Sequence, residues 1–152
     1  MNSRGLVTAC MVSILSLAAS AQVNQYISSM GVAAVDDKGV RHAATEYPRN
    51  HPPWLDDCVK AVGPDYPYDD RRRHHTGVGW YRLYVDLRTG AVTKVAILKS
   101  SGYTRLDNCV VAAFQKWRYK PGKWKEIDTP VTFTLGSSPP PLPPGSIRLP
   151  KA

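Results

Sequence analysis

Few of the residues that catalysis or metal binding requires occur in this sequence. Among 152 residues there are three cysteines and four histidines. Neither a glycine-rich phosphate loop nor a serine nucleophile elbow is present. His74 and His75 are adjacent, so they point in different directions on a helix, and no histidine pair with a carboxylate has the spacing of metal ligands. We therefore expect a protein that is not an enzyme, with no metal and no cofactor.

Hydrophobic runs long enough to cross a bilayer are also lacking. The longest, Leu6–Ala19, has about fourteen residues where roughly 20 are needed. Arg4 precedes it and the small residues of Ala19–Ala21 follow it, which is the layout of a secretory signal peptide over residues 1–21. We expect cleavage after Ala21 and export. A retained membrane anchor is the alternative.

Acidic residues are scarce as well. Lys and Arg number 20 against 12 Asp and Glu, giving a net charge of +8 and a pI near 9.6. In a cytosolic protein this surplus would indicate nucleic acid. For an exported chain we instead expect acidic protein surfaces, anionic lipid or cell-wall polymers, and no nucleic acid. A generally basic, solvated surface is the alternative.

Removal of the signal would take Cys10 with it and leave Cys58 and Cys109. An oxidising compartment would allow these two to form one disulfide. Closing a loop of about 50 residues would stabilise the fold by roughly 4 kcal/mol in the chain-entropy picture. Two buried, unpaired thiols are the alternative.

The ends of the chain carry weak patterns. Residues 22–63 read as a partly irregular extension, in which "VAAVDDKGVRHAA" could form a short hairpin around Asp37–Gly39. Residues 137–152 contain six prolines and read as a proline-rich flexible tail. The clear patterns lie between them, over residues 64–136.

Strands and helices alternate within residues 64–136. "YPYDDRRRHH" predicts a short polar helix or turn from near Pro67. "WYRLYVDL" and "AVTKVAILK" are joined by "RTG" and predict a hairpin, with Gly90 in the left-handed turn position. "PVTFTL" predicts a last strand.

An amphipathic helix separates the hairpin from the last strand. Thr104 and Asp107 have the spacing of a capping box. One apolar stripe follows, made of Leu106, Cys109, Val110, Ala113, Phe114 and Trp117. Because this phase buries Cys109, its thiol is not expected to act as a nucleophile. The pattern therefore predicts an α+β fold: a small three-stranded antiparallel sheet packed against two helices.

This ordered set of motifs resembles the C-terminal domain of TonB energy-transducer proteins. The matching parts are the Tyr66-Pro67 pair, Gly77, "VDLRTGAV", "KSSG", the "LD" at the helix start, and "WRYKPG" before a final strand. Together they cover about 70 residues. The resemblance implies a periplasmic domain.

The resemblance also implies a mode of binding. In this family the TonB box, a short peptide of outer-membrane transporters, adds as a strand to the edge of the last strand during energy-coupled transport. That edge corresponds here to Thr129–Leu135, with Thr129, Val131, Thr132, Phe133, Thr134 and Leu135 as expected contacts. Tyr66 and Pro67 would lie near the same interface.

Two departures from the family pattern bear on function. The arginine that often follows the Tyr-Pro pair by two residues is replaced by Asp69, and Arg71, Arg72 and Arg73 could substitute from the next turn. The proline-rich spacer that normally separates membrane helix and domain is lacking at that position. An inner-membrane complex of the ExbB/ExbD type would be a partner only if the N-terminal segment is retained.

Other functions stay open at this point. The principal alternative is a soluble envelope interaction or structural protein that reuses the fold without energy transduction. A secreted hydrolase survives only because residues 22–63 are unassigned. The sequence also leaves open a homodimer.

Overall fold

A five-stranded antiparallel sheet organises the domain in the computed structural model, which describes residues 31–135. The strand order is β2-β1-β7-β4-β5, and β3 and β6 form a separate two-stranded ribbon. The strands are β1 (Ala33–Asp36), β2 (Arg41–Ala43), β3 (Cys58–Lys60), β4 (Gly77–Val85), β5 (Val92–Lys99), β6 (Arg118–Tyr119) and β7 (Trp124–Phe133). The predicted signal segment and proline-rich tail lie outside the described residues.

Within residues 31–135 three helices accompany these strands: α1 (Pro53–Asp56), α2 (Tyr68–Arg72) and α3 (Thr104–Phe114). Two short 3-10 turns, Ala44–Glu46 and Pro48–Asn50, precede α1. The α+β class is therefore confirmed. The predicted number of three strands is wrong, because residues of the N-terminal extension supply β1 and β2 to the same sheet.

The central hairpin was correctly predicted. Strands β4 and β5 pair antiparallel, and the turn between them closes where Gly90 donates its N–H to Asp86 O at 2.7 Å. Gly90 has a φ of 71°, and a β-carbon at this position would collide with the Tyr119 carbonyl. Glycine is therefore required at this turn for two reasons.

Helix α3 covers one face of the sheet, as its apolar stripe predicted. Leu106, Val110, Phe114 and Trp117 are buried, and the Phe114 ring contacts Tyr81 from β4 with centroids 5.9 Å apart. The predicted capping box is wrong, because no side chain caps this helix. The Asp107 carboxylate is instead buried and accepts hydrogen bonds from other groups.

Those bonds join the helix to strand β4 and to the turn after β5. Tyr81 Oη and Ser100 Oγ donate to Asp107 at 2.6 and 2.5 Å, and the Ser101 N–H donates at 2.9 Å. Burial raises the pKa of Asp107, but these bonds outweigh burial and lower it overall. Asp107 is therefore a buried charged link between helix and sheet.

The last strand begins earlier than the sequence predicted. Strand β7 starts at Trp124 and includes the polar stretch Lys125–Asp128, which has no apolar alternation. It lies between β1 and β4 in the sheet, where the sequence had predicted an edge strand. The N-terminal hairpin is thus what turns β7 from an edge strand into an internal one over part of its length.

Candidate functional site

A strand can be added to a sheet only where an edge presents regular, unpaired backbone groups. Strand β2, at one margin, does not offer this. It has three residues, and its Ala43 N–H donates to Glu46 Oε1 at 3.0 Å. Strand β2 is therefore short, and one of its backbone donors is already bonded to a side chain.

Strand β5, at the other margin, is irregular. Its register with β4 shifts at two places, between Trp80 and Tyr81 and between Tyr84 and Val85. At its beginning, the Val92 N–H donates to Trp117 O at 3.4 Å. Bulges and a partly covered edge are common protections against foreign strands, so β5 is a poor acceptor.

The two halves of strand β7 differ in how many strands they pair with. Its first half pairs with β1, from Asp36 opposite Trp124 to Ala33 opposite Asp128. From Thr129 to Phe133 it pairs with β4 alone among the described residues, without a register shift. We call Thr129–Phe133 the open half of β7. It is the regular edge that residues 31–135 leave without a strand partner.

The direction of the backbone groups in the open half follows from the ladder. The Asp36 N–H donates to Val40 O at 3.0 Å, so even-numbered residues of β1 bond to β2 and odd-numbered ones bond to β7. The partners of Ala33 and Val35 in β7 are Asp128 and Glu126, so even-numbered residues of β7 face β1. Continuing this alternation places the backbone groups of Pro130 and Thr132 on the open side.

These two residues differ in what they present. Thr132 directs both its N–H and its C=O to the open side, whereas Pro130 has only a C=O. Proline in a sheet is normally confined to positions where no ladder donor is needed. An incoming strand would therefore find one donor and two acceptors between Pro130 and Thr132.

Tyr66 lies at the far end of the open half of β7. Its ring packs against Phe133 with centroids 5.1 Å apart, and its hydroxyl donates to His75 O at 2.9 Å. Pro67 immediately precedes α2 and makes no capping hydrogen bond. Thr129, Pro130 and Phe133 are buried, Val131, Thr132 and Tyr66 are half-buried, and Leu135 is exposed. Thr134, also half-buried, follows the end of β7.

The three arginines occupy the end of α2 and are all exposed. Arg71 lies 6.0 Å from the centre of the Tyr68 ring, and Arg72 and Arg73 follow it. His74 then has a φ of 56°, and the chain turns through two bonds: His74 N–H to Arg71 O at 3.1 Å and His75 N–H to Asp70 O at 2.9 Å. This is a Schellman ending with histidine at the position that usually holds glycine.

A buried charge fixes the covered half of β7. Asp128 is fully buried, and its carboxylate accepts from Arg82 Nε at 2.7 Å and from Arg41 Nη2 at 2.6 Å. Arg82 also lies 3.3 Å from Glu126. Because Arg41 belongs to β2, this cluster ties the N-terminal hairpin to the central strands.

Sequence reasoning missed this cluster. Asp128 and Arg82 lie in strands whose outer face reads as ordinary polar surface, and Arg41 lies in a segment with weak patterning. The available signal was the alternation of charged residues in "KEID", which places Glu126 and Asp128 on one face of an extended chain.

The two cysteines are free thiols in the structure, in contrast to the predicted disulfide. Cys58 lies opposite Tyr119 in the ribbon, beyond the C-terminal end of α3. Cys109 lies inside α3, about 7 to 8 Å of helical rise before Phe114, and lines a groove with Val62 and Asp65. A disulfide needs α-carbons within about 7 Å. Burial is the main cause that raises the pKa of both thiols.

Within residues 31–135 no group of three or more metal-ligating side chains occurs. No helix in that range has the length and apolar character needed to cross a membrane.

Comparison with known proteins identifies the second part of the chain. Residues 62–135 match the family model described as Gram-negative bacterial TonB protein C-terminal. The matched residues include helix α2, the hairpin β4–β5, helix α3 and strand β7. The hairpin β1–β2 lies outside the match. No solved structure matches the chain.

Curated relatives point to the same family. The chain is 44% identical over 46 residues to a protein from Neisseria meningitidis serogroup C named Protein TonB, and 41% identical over 46 residues to one of the same name from Neisseria gonorrhoeae. Each match covers 30% of this chain and 16% of the relative. Over residues 62–135, this chain therefore carries a domain of the TonB C-terminal family.

Proposed function

We propose that this domain binds an extended peptide of a partner protein by strand addition to the open half of β7. One observation carries the proposal: the regular edge that lacks a strand partner among residues 31–135 is Thr129–Phe133, in the strand that the family uses. Binding through backbone hydrogen bonds needs such an edge more than it needs particular side chains. No catalytic group is required.

The partner that fits this proposal is the TonB box of an outer-membrane transporter. The relatives that resemble this chain are named Protein TonB, and a role in TonB-type transport across the envelope follows from the family. A TonB box is short and extended, which suits an edge of five residues. The domain would act in the periplasm. An ExbB/ExbD-type partner would require a retained N-terminal anchor.

The side chains around the open half suit the same partner. Tyr66 and Phe133 form an aromatic surface at one end, which would contact apolar side chains of the added strand. The exposed Arg71, Arg72 and Arg73 lie on α2, which starts directly after Pro67. They would pair with acidic residues of the transporter plug, in place of the arginine that Asp69 replaces.

A second candidate function is supported by the N-terminal hairpin. Strand β1 already occupies the edge of β7 as far as Asp128, and Arg41 holds it there through the buried carboxylate. An added strand could pair with β7 only beyond Asp128. This short ladder would resist a pulling force less well than a longer one. This favours an envelope interaction protein that holds its partner without transmitting force.

Capture of an immobilised TonB-box peptide by the full chain tests strand addition. The Thr132→Pro variant removes the one donor that the open half directs outward, so we expect capture to be lost. Thr132→Val is the matched control, because it keeps the N–H and changes only the side chain. Equal capture by the proline variant, with its fold intact, would rule out strand addition at this edge.

A separate measurement distinguishes the two candidates. N-terminal sequencing of the protein from its native envelope shows whether residues 1–21 remain attached. An intact N-terminus together with co-purification of an ExbB/ExbD-type complex supports energy coupling. A chain that begins at Gln22 and still captures the peptide supports the second candidate.

A further inference from the structure

The β3–β6 ribbon contains a charge arrangement that destabilises it. Lys60 lies opposite Arg118 in the register, and both are exposed. Like charges directly opposite each other on paired strands repel and destabilise the pair. The neighbouring register pair, Cys58 and Tyr119, faces the interior, where Tyr119 is buried. The register shifts between Cys58 and Lys60, which breaks the usual alternation, so the exposed Lys60 lies with Arg118 on the outward face of the ribbon.

Acidic residues nearby do not neutralise this face. Among residues 31–135 no ion pair joins Lys60 or Arg118 to a carboxylate. The adjacent acid, Asp57, is buried, and its Oδ1 atom is shared by Lys120 Nζ and Lys123 Nζ, each at 3.1 Å. These four cations and one carboxylate leave a surplus of three positive charges around the ribbon.

The spacing of the charges matches an extended chain. Lys120 follows Arg118 by two residues and continues the ribbon, because its N–H donates to Asp57 O at 2.8 Å. Side chains two apart on a strand lie about 6.5 to 7 Å apart on one face. Alternate side chains of an extended peptide have the same spacing. Arg118, whose guanidinium also donates to Trp117 O at 2.8 Å, and Lys120, which shares Asp57 with Lys123, therefore place positive charge at intervals that carboxylates at alternate peptide positions would match.

We propose that the outward face of this ribbon binds an extended acidic segment of a partner protein, with carboxylates at alternate positions. A lipid surface fits less well, because insertion needs several apolar side chains and Val59, 62% exposed, is the one large apolar side chain on the strands of this face. The partner's carboxylates would relieve the repulsion between Lys60 and Arg118.

This surface is separate from the open half of β7. Strand β6 ends at Tyr119 and β7 begins at Trp124, and Thr132 lies eight residues beyond Trp124, about 27 Å along an extended strand. Binding at the ribbon therefore does not depend on strand addition. We expect the Thr132→Pro variant to bind acidic peptide as well as the parent chain does.

The test uses the full chain and two peptides of equal composition. One alternates Glu and Thr, and the other places all Glu residues together before the Thr residues. We expect the alternating peptide to bind more tightly than the block peptide, and its binding to weaken as salt is added. Lys60→Gln and Arg118→Gln should each remove one ion pair and lower the affinity by about two- to fivefold. Lys38→Gln, an exposed lysine on the β1–β2 turn, is the matched control.

Folding of the variant can be checked in the same experiment. Because Lys60→Gln removes a repulsion, its thermal midpoint should equal or exceed that of the parent, so lost binding would not reflect unfolding. Equal affinity for the two peptides, or binding unaffected by Lys60→Gln, would overturn the proposal. Binding to phosphatidylglycerol vesicles with none to the alternating peptide would also overturn it, in favour of a lipid surface.

Discussion

Replacing Pro130 by valine should strengthen peptide capture by the open half of β7. Pro130 lies opposite Trp80 in the β4–β7 ladder, and its backbone position faces the open side. Proline supplies no N–H there, so an added strand finds an acceptor but no donor. Valine would supply the missing donor, and its β-branched side chain suits an extended backbone.

The size of the effect follows from one added ladder bond. A typical intramolecular hydrogen bond contributes a net of about 0.5–1.5 kcal/mol, which corresponds to about 2- to 13-fold in affinity. Loss of the proline constraint on the unfolded chain costs about 0.4–1 kcal/mol of folding stability. We therefore expect tighter binding from a domain that is slightly less stable.

Fluorescence anisotropy with a labelled TonB-box peptide measures this change for Pro130→Val and the parent chain. Analytical ultracentrifugation should also detect more self-association, because the substitution removes a protection of the sheet edge. Unchanged or weaker peptide affinity, in a variant with the parent's circular dichroism spectrum, would refute the deduced direction of the backbone groups.

Three further predictions concern stability. His74→Gly should raise the free energy of unfolding by about 1 kcal/mol, because His74 holds a left-handed backbone conformation that glycine adopts without strain. A urea titration measures this free energy, and an unchanged value would contradict the Schellman ending. Asp128→Ala should lower the free energy of unfolding by about 3 kcal/mol, since it leaves Arg82 with a weakened set of partners; a loss below about 1 kcal/mol would contradict a structural role for this buried charge. Asp57 and Asp107 have lowered pKa values, because the hydrogen bonds they accept outweigh burial. Their contribution to stability is therefore present at neutral pH and is lost as the pH falls below about 4, the pKa of an aspartate in the unfolded chain. The urea midpoint at pH 3 should be lower than the midpoint at pH 7, and equal midpoints would contradict this.

The elements with strong periodicity were predictable from sequence. The hairpin β4–β5 and helix α3 follow from alternation, a turn glycine and one apolar stripe, all of which depend on neighbours close in the chain. The short helix after Pro67 was also predicted. The internal position of the first half of β7 was not predictable, because it depends on pairing with residues almost a hundred positions earlier.

Polar strand residues account for most of what was missed. The beginning of β7 carries Glu126 and Asp128, which read as a loop because their charges suggest solvent. In the folded domain these charges meet Arg82 and Arg41 from neighbouring strands. Such pairing is set by tertiary register, which local pattern does not encode.

Asp107 illustrates the same limit at the helix. Its spacing after Thr104 suggested a capping box, yet the carboxylate turns inward to Tyr81 and Ser100. The sequence correctly indicated an acid near the helix start. Which donors it would meet depended on how the helix packs against the sheet.

Hydrogen–deuterium exchange of single amides, with and without a TonB-box peptide, tests strand addition most directly. The Thr132 N–H points to the open side, so we predict rapid exchange in the free protein and strong protection in the complex. The Val131 N–H bonds to β4 and should be protected in both states. Peptide binding that leaves Thr132 exchange unchanged, or that protects amides of β5 instead, would contradict the account.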